Sequence, residues 1–184
     1  ARFAMLPQVV AIAHAGSRLA AFADEWSDFD LYVFVEEEIP PAIRAAIAGD
    51  DARAVEIDNR FFGRGDEWRD ARTGEKVDLI YWSPRWFEEQ VDRVLVHLQA
   101  SVGYSTCFWY TARQAVSLYD SKGWLAGMKA KAERPYPEEL RRAVIAMNYP
   151  VLRQVGASFR QQIELAVARG DTVSVQHRVT ALLV

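Results

Sequence analysis

The chain has 184 residues, of which 51% are hydrophobic and 26% are charged, and its formal net charge is −3. This composition is typical of a globular protein, and the length allows one good-sized core or two small ones. The slight acidic excess argues against a protein whose main task is to grip nucleic acid through its phosphates.

Other features of the sequence bear on the compartment and the chain ends. No apolar run approaches the roughly 20 residues that a membrane span needs, so we expect no membrane partner. The single cysteine, Cys107, excludes an internal disulfide bond. A lone cysteine fits a reducing compartment, and we expect a cytoplasmic protein without a signal peptide. The chain stops in the apolar stretch VTALLV without a helix-ending signal, so we expect that part of the native C-terminus is missing.

Strand patterns dominate the first 82 residues. The elements predicted there are strands over 9–13, 30–35 and 52–57, the start of a helix over 17–23, a helix over 41–48, and a hairpin over 66–82. The hairpin turns at Thr73-Gly74, and residues 77–82 form its stronger strand.

Helical patterns follow Trp82. Ser83-Pro84 is a typical helix start, with Ser as the N-cap and Pro at the first helical position. Further helices are predicted over 123–134, 138–155, 159–169 and 172–184. Pro150 should kink or split the second of these. The sequence therefore predicts an α+β protein, with a mixed β-sheet domain flanked by helices over residues 1–82 and a helical bundle over 83–184.

Acidic residues stand at the start of two predicted strands. Side chains alternate along a strand, so Asp28 and Asp30 project to one face, ahead of bulky apolar residues. Asp78 leads one face of the 77–82 strand in the same way. If these strands are neighbours in one sheet, three carboxylates meet at its edge.

Three carboxylates at one edge of a sheet require something that offsets their mutual repulsion. Two carboxylates about 5 Å apart repel each other by roughly 3 kcal/mol at an effective dielectric constant near 20. Shared protons with raised pKa values are one solution, and a divalent cation is the other. Oxygen-only ligands suit Mg²⁺ or Mn²⁺, and Mg²⁺ is typically held by one or two carboxylates together with substrate phosphates.

A Gly-Ser-Arg turn lies just upstream of the first acids. Gly16 allows close approach of the backbone to a ligand, and Ser17 offers a hydroxyl and an N–H group at a predicted helix start. Arg18 adds a cation that can contact phosphate. Carboxylates, a metal ion and a phosphate cradle together indicate phosphoryl or nucleotidyl transfer by metal-assisted in-line displacement.

The order of these motifs resembles the nucleotidyltransferase superfamily typified by DNA polymerase beta. The motifs are Gly16-Ser17, ten intervening residues, Asp28-Phe29-Asp30-Leu31, and later Val77-Asp78-Leu79. The resemblance covers roughly residues 9–82. The helical remainder is similar in layout to small two-domain nucleotidyltransferases that modify antibiotics and other small molecules. Many members carry a second glycine near the serine, where this chain has His14-Ala15 before Gly16.

The resemblance implies a metal-dependent enzyme. It would transfer a nucleoside monophosphate, with AMP expected, from a nucleoside triphosphate to a hydroxyl of a small molecule or protein. Asp28 and Asp30 would hold the Mg²⁺ or Mn²⁺ that carries the triphosphate, and Asp78 would bind metal or deprotonate the acceptor hydroxyl. Gly16 and Ser17 would hold phosphate oxygens.

Several alternatives stay open. Some antibiotic-modifying members use a separate glutamate as general base, and Glu56, Glu67 and the acids after Trp82 are all candidates. An antitoxin-like or regulatory protein of the same fold, acting on or binding a helical partner protein, is the alternative function, although minimal antitoxins are shorter. RNA tailing is disfavoured by the net charge of −3. The acceptor, the nucleotide and a homodimeric state are not determined by the sequence.

Overall fold

Strand pairing in the computed structural model, which describes residues 2–19, 24, 27–60 and 63–182, builds one mixed sheet. Within the described residues its six strands are β1 (Val9–Ala15), β2 (Phe29–Val35), β3 (Ala52–Asn59), β4 (Gly65–Asp70), β5 (Lys76–Trp82) and β6 (Val116–Asp120). Their spatial order is β3-β4-β5-β2-β1-β6. Strands β2 and β5 pair in parallel, and the other neighbouring pairs are antiparallel. The predicted α+β class with a mixed sheet is confirmed.

The helices follow the predicted pattern with one addition. Their bounds are α1 (Pro41–Ala48), α2 (Pro84–Leu95), α3 (Cys107–Gln114), α4 (Trp124–Ala132), α5 (Glu138–Tyr149), α6 (Phe159–Arg169) and α7 (Thr172–Leu182). Helix α3 is the addition. At Pro150 the α-helical pattern gives way to a π-helical turn, Pro150–Gln154, because proline lacks the N–H group that would continue the α5 ladder. None of the helices in the described part of the chain has the length and apolar character needed to cross a membrane.

Two further elements differ from the sequence prediction. Residues Ser17–Leu19 form a single 3₁₀ turn, and residues 20–23 of the helix predicted to start there lie outside the described residues. Strand β6, which the sequence does not predict, pairs with β1 at the edge of the sheet, within the range 83–184 that is expected to form a helical bundle. Its apolar side chains Val116 and Leu118 are exposed, so the strand lacks the buried apolar face from which strands are recognised.

The chain divides into two compact units. One consists of Ala1–Val91 and Phe108–Arg134, and it contains the whole sheet together with α1 and α4. It extends beyond Trp82 because β6 returns to pair with β1. The other consists of Asp92–Cys107 and Pro135–Val184 and contains α5, α6 and α7.

The main core of the sheet unit lies on one face of the central strands. Alternation along β2 and β5 sends Val33, Val35, Leu79 and Tyr81 to the same side, opposite the aspartates. They pack with the buried side chains of Phe3, Val9, Ile12 and Ile39. Burial of this apolar face fixes the register of the two strands, since a shift by one residue would turn every side chain to the other face.

A buried ion network connects α1 to this face of the sheet. Arg44 is 1% exposed and pairs with the buried carboxylate of Asp66 and, at 2.9 Å, with Asp58. The Tyr81 hydroxyl donates a 2.6 Å hydrogen bond to Asp66, and Arg44 Nε donates to the carbonyl of Ile39 at 3.0 Å. The charges are thus paired and hydrogen-bonded, as buried ions must be.

Aromatic side chains cover the other face of the sheet behind the aspartates. Phe34 is 1% exposed, and its ring lies 5.1 Å from Phe87 and 4.7 Å from Trp124. Trp82 stacks on Phe87 at 5.5 Å and contacts Tyr32 at 4.4 Å. These rings fill this face at the carboxyl ends of β2 and β5, and the aspartates lie at the amino ends of the same strands.

Candidate metal centre

Three aspartates come together at the amino ends of β2 and β5. Asp28 directly precedes β2, and the parallel register pairs Asp30 with Asp78. One carboxylate oxygen from each of the three residues lies within 4.8 Å of the others. The structure therefore brings together the three acids that the sequence singles out. They meet because β2 and β5 are neighbours in the sheet, which is the arrangement that the sequence prediction requires.

The proximity of these acids changes how readily they ionise. Burial raises the pKa of Asp30 to about 6, with further contributions from the charges of Asp28 and Asp78, while the Ser17 N–H and the Lys76 charge oppose the rise. Burial also raises the pKa of Asp78, against the opposing hydrogen bond from Lys76. The cluster thus holds negative charge at a cost that a bound cation would relieve.

The Gly16 turn is built against Asp30. Gly16 has φ +78°, a conformation that glycine adopts readily, and the next backbone N–H, from Ser17, donates to the Asp30 carboxylate. A Cβ on Gly16 would lie 1.7 Å from Asp30 Oδ2. Glycine is therefore required here so that the turn can approach the carboxylate, a contact that sequence reasoning missed when it gave Gly16 only a phosphate-binding role.

The other two residues of the turn have different surroundings. Ser17 is exposed beside the aspartates. The Arg18 guanidinium contacts the carbonyl of Ser27 at 3.0 Å and Glu75 at 2.8 Å, and lies 3.9 Å from the centre of the Phe29 ring. Arg18 thus ties the turn to the start of β2 and to the loop before β5.

Lys76 is a member of the site that sequence reasoning missed. Its Nζ lies 3.1 Å from Asp78 Oδ2, 3.4 Å from Asp28 Oδ2 and 3.3 Å from Glu67 Oε2. Burial by itself disfavours the ammonium ion, but the hydrogen bonds and charges of Asp78 and Glu67 raise the pKa of Lys76 above its usual value. Side chains two positions apart in a strand lie on the same face. The alternation that groups Asp28 with Asp30 therefore also groups Lys76 with Asp78.

Two of the glutamates that the sequence offers as candidate general bases, Glu67 and Glu56, continue the line of acids from Asp78 across the neighbouring strands. In the antiparallel pairing of β4 and β5, Glu67 stands opposite Asp78, and Glu56 on β3 stands opposite Glu67. Glu67 contacts Lys76, whereas Glu56 is exposed at the outer strand. Glu67 is therefore nearer to the three aspartates than Glu56.

The donor set fits a divalent cation of the Mg²⁺ or Mn²⁺ type. Asp28, Asp30 and Asp78 offer oxygen ligands only, which is the preference of both ions. Asp78 Oδ1 is buried and has no hydrogen-bond partner among the described residues. A buried carboxylate oxygen without a partner is costly, and a cation ligated by Asp78 would satisfy it.

Comparison with known proteins gives distant structural likeness only. No family model matches the chain, and no curated protein matches it. Among solved structures the chain is similar to a nucleotidyltransferase-like protein from Exiguobacterium sibiricum 255-15, with 13% sequence identity and a TM-score of 0.43. The match covers 98% of this chain and 50% of that one, so the chain spans about half the length of its structural neighbour.

Proposed function

We propose that the chain is a metal-dependent nucleotidyltransferase that moves a nucleoside monophosphate, with AMP expected, from a nucleoside triphosphate to a hydroxyl group of a small molecule or protein. The observation that carries the proposal is the cluster of Asp28, Asp30 and Asp78, in which one oxygen from each residue lies within 4.8 Å of the others. In addition, Asp78 Oδ1 is buried without a partner among the described residues. The order of the Gly-Ser, Asp-x-Asp and later Asp motifs supports it.

In this proposal each acid has a role. Asp28 and Asp30 hold the cation, which when bound neutralises the triphosphate and polarises the phosphorus under attack. Asp78 completes the ligand set or takes the proton of the acceptor hydroxyl. The acceptor oxygen forms a bond to the α-phosphorus, the bond from that phosphorus to the bridging oxygen breaks, and pyrophosphate leaves.

The turn before β2 is proposed to meet the phosphates. Ser17 is exposed at the site, and its hydroxyl is proposed to hold a phosphate oxygen together with the backbone of Gly16. Arg18 is proposed to bind phosphate from its place beside the turn, and to do so it would share a guanidinium that already pairs with Glu75.

Binding of ATP with Mg²⁺ tests the proposal. Asp28→Asn and Asp30→Asn each remove one charged ligand, and we expect calorimetry to show affinity for Mg²⁺–ATP weakened by at least about tenfold. Asp50→Asn, which changes an exposed carboxylate after α1, serves as the matched control and should bind as the wild type does. A wild-type protein that binds no nucleoside triphosphate with Mg²⁺ or Mn²⁺ would refute the proposed function.

A further inference from the structure

The Lys76 ammonium ion lies inside the carboxylate cluster. Its three carboxylate partners come from three places in the chain: the residue before β2, strand β4 and strand β5 itself. The side chain is 32% exposed, so it is neither a freely solvated lysine nor a fully buried one. Two of its partners, Asp28 and Asp78, belong to the proposed metal ligands.

Lys76 and a bound cation would compete for the same carboxylate groups. Lys76 approaches Asp28 and Asp78 through Oδ2 of each residue, at 3.4 and 3.1 Å. Mg²⁺ needs contacts of about 2.0–2.1 Å to carboxylate oxygens, and a divalent cation repels an ammonium ion held beside it. The ammonium therefore has to withdraw, at least from Asp78, when a cation enters.

Glu67 can keep an ion pair with the Lys76 ammonium ion after that ion leaves the aspartates. It lies outside the three-aspartate cluster, stands opposite Asp78 in the β4–β5 pairing, and already contacts Lys76 at 3.3 Å. The Glu67 side chain is 40% exposed, more than those of Asp28 and Asp78, which are 27% and 25% exposed.

We propose that Lys76 is a built-in counter-ion, which neutralises the aspartates when no metal is bound and moves onto Glu67 when a divalent cation displaces it from Asp28 and Asp78. The inference rests on the proposed function, because it takes the aspartates as the metal ligands. Lys76 is then a positioning residue that lowers the affinity for metal in exchange for a stable metal-free site.

The test measures Mn²⁺ binding by calorimetry and thermal unfolding in EDTA, both on the full chain without nucleotide. Lys76→Met keeps an unbranched side chain of similar length and removes the charge. We expect it to bind Mn²⁺ about tenfold more tightly, because no ion pair has to be exchanged. In EDTA it should melt at a lower temperature than the wild type, and saturating Mn²⁺ should close that gap.

Two further variants support the interpretation of that result. Lys122→Met removes an exposed lysine in the turn between β6 and α4 and should change neither quantity. Glu67→Gln removes the resting place of the ammonium ion, so it should weaken Mn²⁺ binding, opposite in sign to Lys76→Met. This variant decides the question if Lys76→Met does not fold.

The outcomes separate this inference from the proposed function. Equal Mn²⁺ affinity in the wild type and Lys76→Met, or tighter binding in Glu67→Gln, overturns the counter-ion role while leaving nucleotide binding intact. Absence of Mn²⁺ binding in every variant, with no nucleotide bound either, overturns both.

Discussion

Replacement of Gly16 by alanine should disturb the site because the new Cβ would meet the Asp30 carboxylate. Two contributions to a loss of folding stability are expected, one from the backbone conformation and one from this contact. Alanine in a left-handed conformation such as φ +78° costs about 1–2 kcal/mol relative to glycine. In addition, the new Cβ would lie 1.7 Å from Asp30 Oδ2, so the carboxylate has to move by about 1.7 Å or more to reach ordinary contact distance.

The second cost can be estimated from what Asp30 gives up. Moving away breaks its hydrogen bond from the Ser17 N–H, and hydrogen bonds to charged groups contribute about 1.5–3 kcal/mol. Some of this is returned because Asp30 becomes more solvated, so we expect a net loss of about 1–2 kcal/mol beyond the backbone cost. Displacement of one ligand should also weaken Mn²⁺ binding by about tenfold or more.

Gly74 provides a matched control for this change. It has the same φ of +78°, but no described atom lies within 4 Å of the position where its Cβ would be. Gly74→Ala therefore carries the backbone cost alone. Urea unfolding in EDTA and Mn²⁺ calorimetry on both variants isolate the contact with Asp30. If Gly16→Ala unfolds like Gly74→Ala and binds Mn²⁺ as the wild type does, the inference that the turn positions Asp30 is wrong.

Two further predictions concern the buried charges and the pH dependence. Arg44→Met leaves Asp66 buried without its counter-ion, so urea unfolding should show a loss of about 3–5 kcal/mol, and an unchanged midpoint would contradict the role given to the network. The pKa of Asp30 is raised to about 6, so below pH 6 a proton must leave before a cation can bind. The affinity for Mn²⁺ should therefore fall by about fivefold between pH 6 and 5, approach tenfold per pH unit at lower pH and level off above pH 7, and calorimetry that finds no change across this range would rule out Asp30 as a ligand.

Local patterns explain which parts of the fold could be predicted. The two-residue alternation along β2 and β5 is visible in the sequence, and it separates the aspartates from Val33 and Leu79, which lie in the core. Strands and helices with buried apolar faces are recognisable for the same reason. Strand β6 is not, because its apolar side chains are exposed and its conformation follows from its pairing with β1.

Contacts between distant residues explain what was missed at the site. Lys76 could be placed on the face of Asp78 from the sequence, but its contact with Glu67 depends on the register of β4 against β5. Burial of Arg44 in α1 depends likewise on acids 14 and 22 positions later in the chain. Contacts of this kind are set by the pairing of whole elements rather than by any short stretch.

The parallel pairing of β2 with β5 has a consequence for how the protein folds. Lys76 and Asp28 are 48 positions apart, and α1 and the β3–β4 hairpin lie between β2 and β5 in the chain. Contacts between strands so far apart carry a large loop-closure entropy and form slowly. The acidic cluster therefore cannot exist in a partly folded chain that has only local structure, and metal should begin to favour the native state only after the central strands have met.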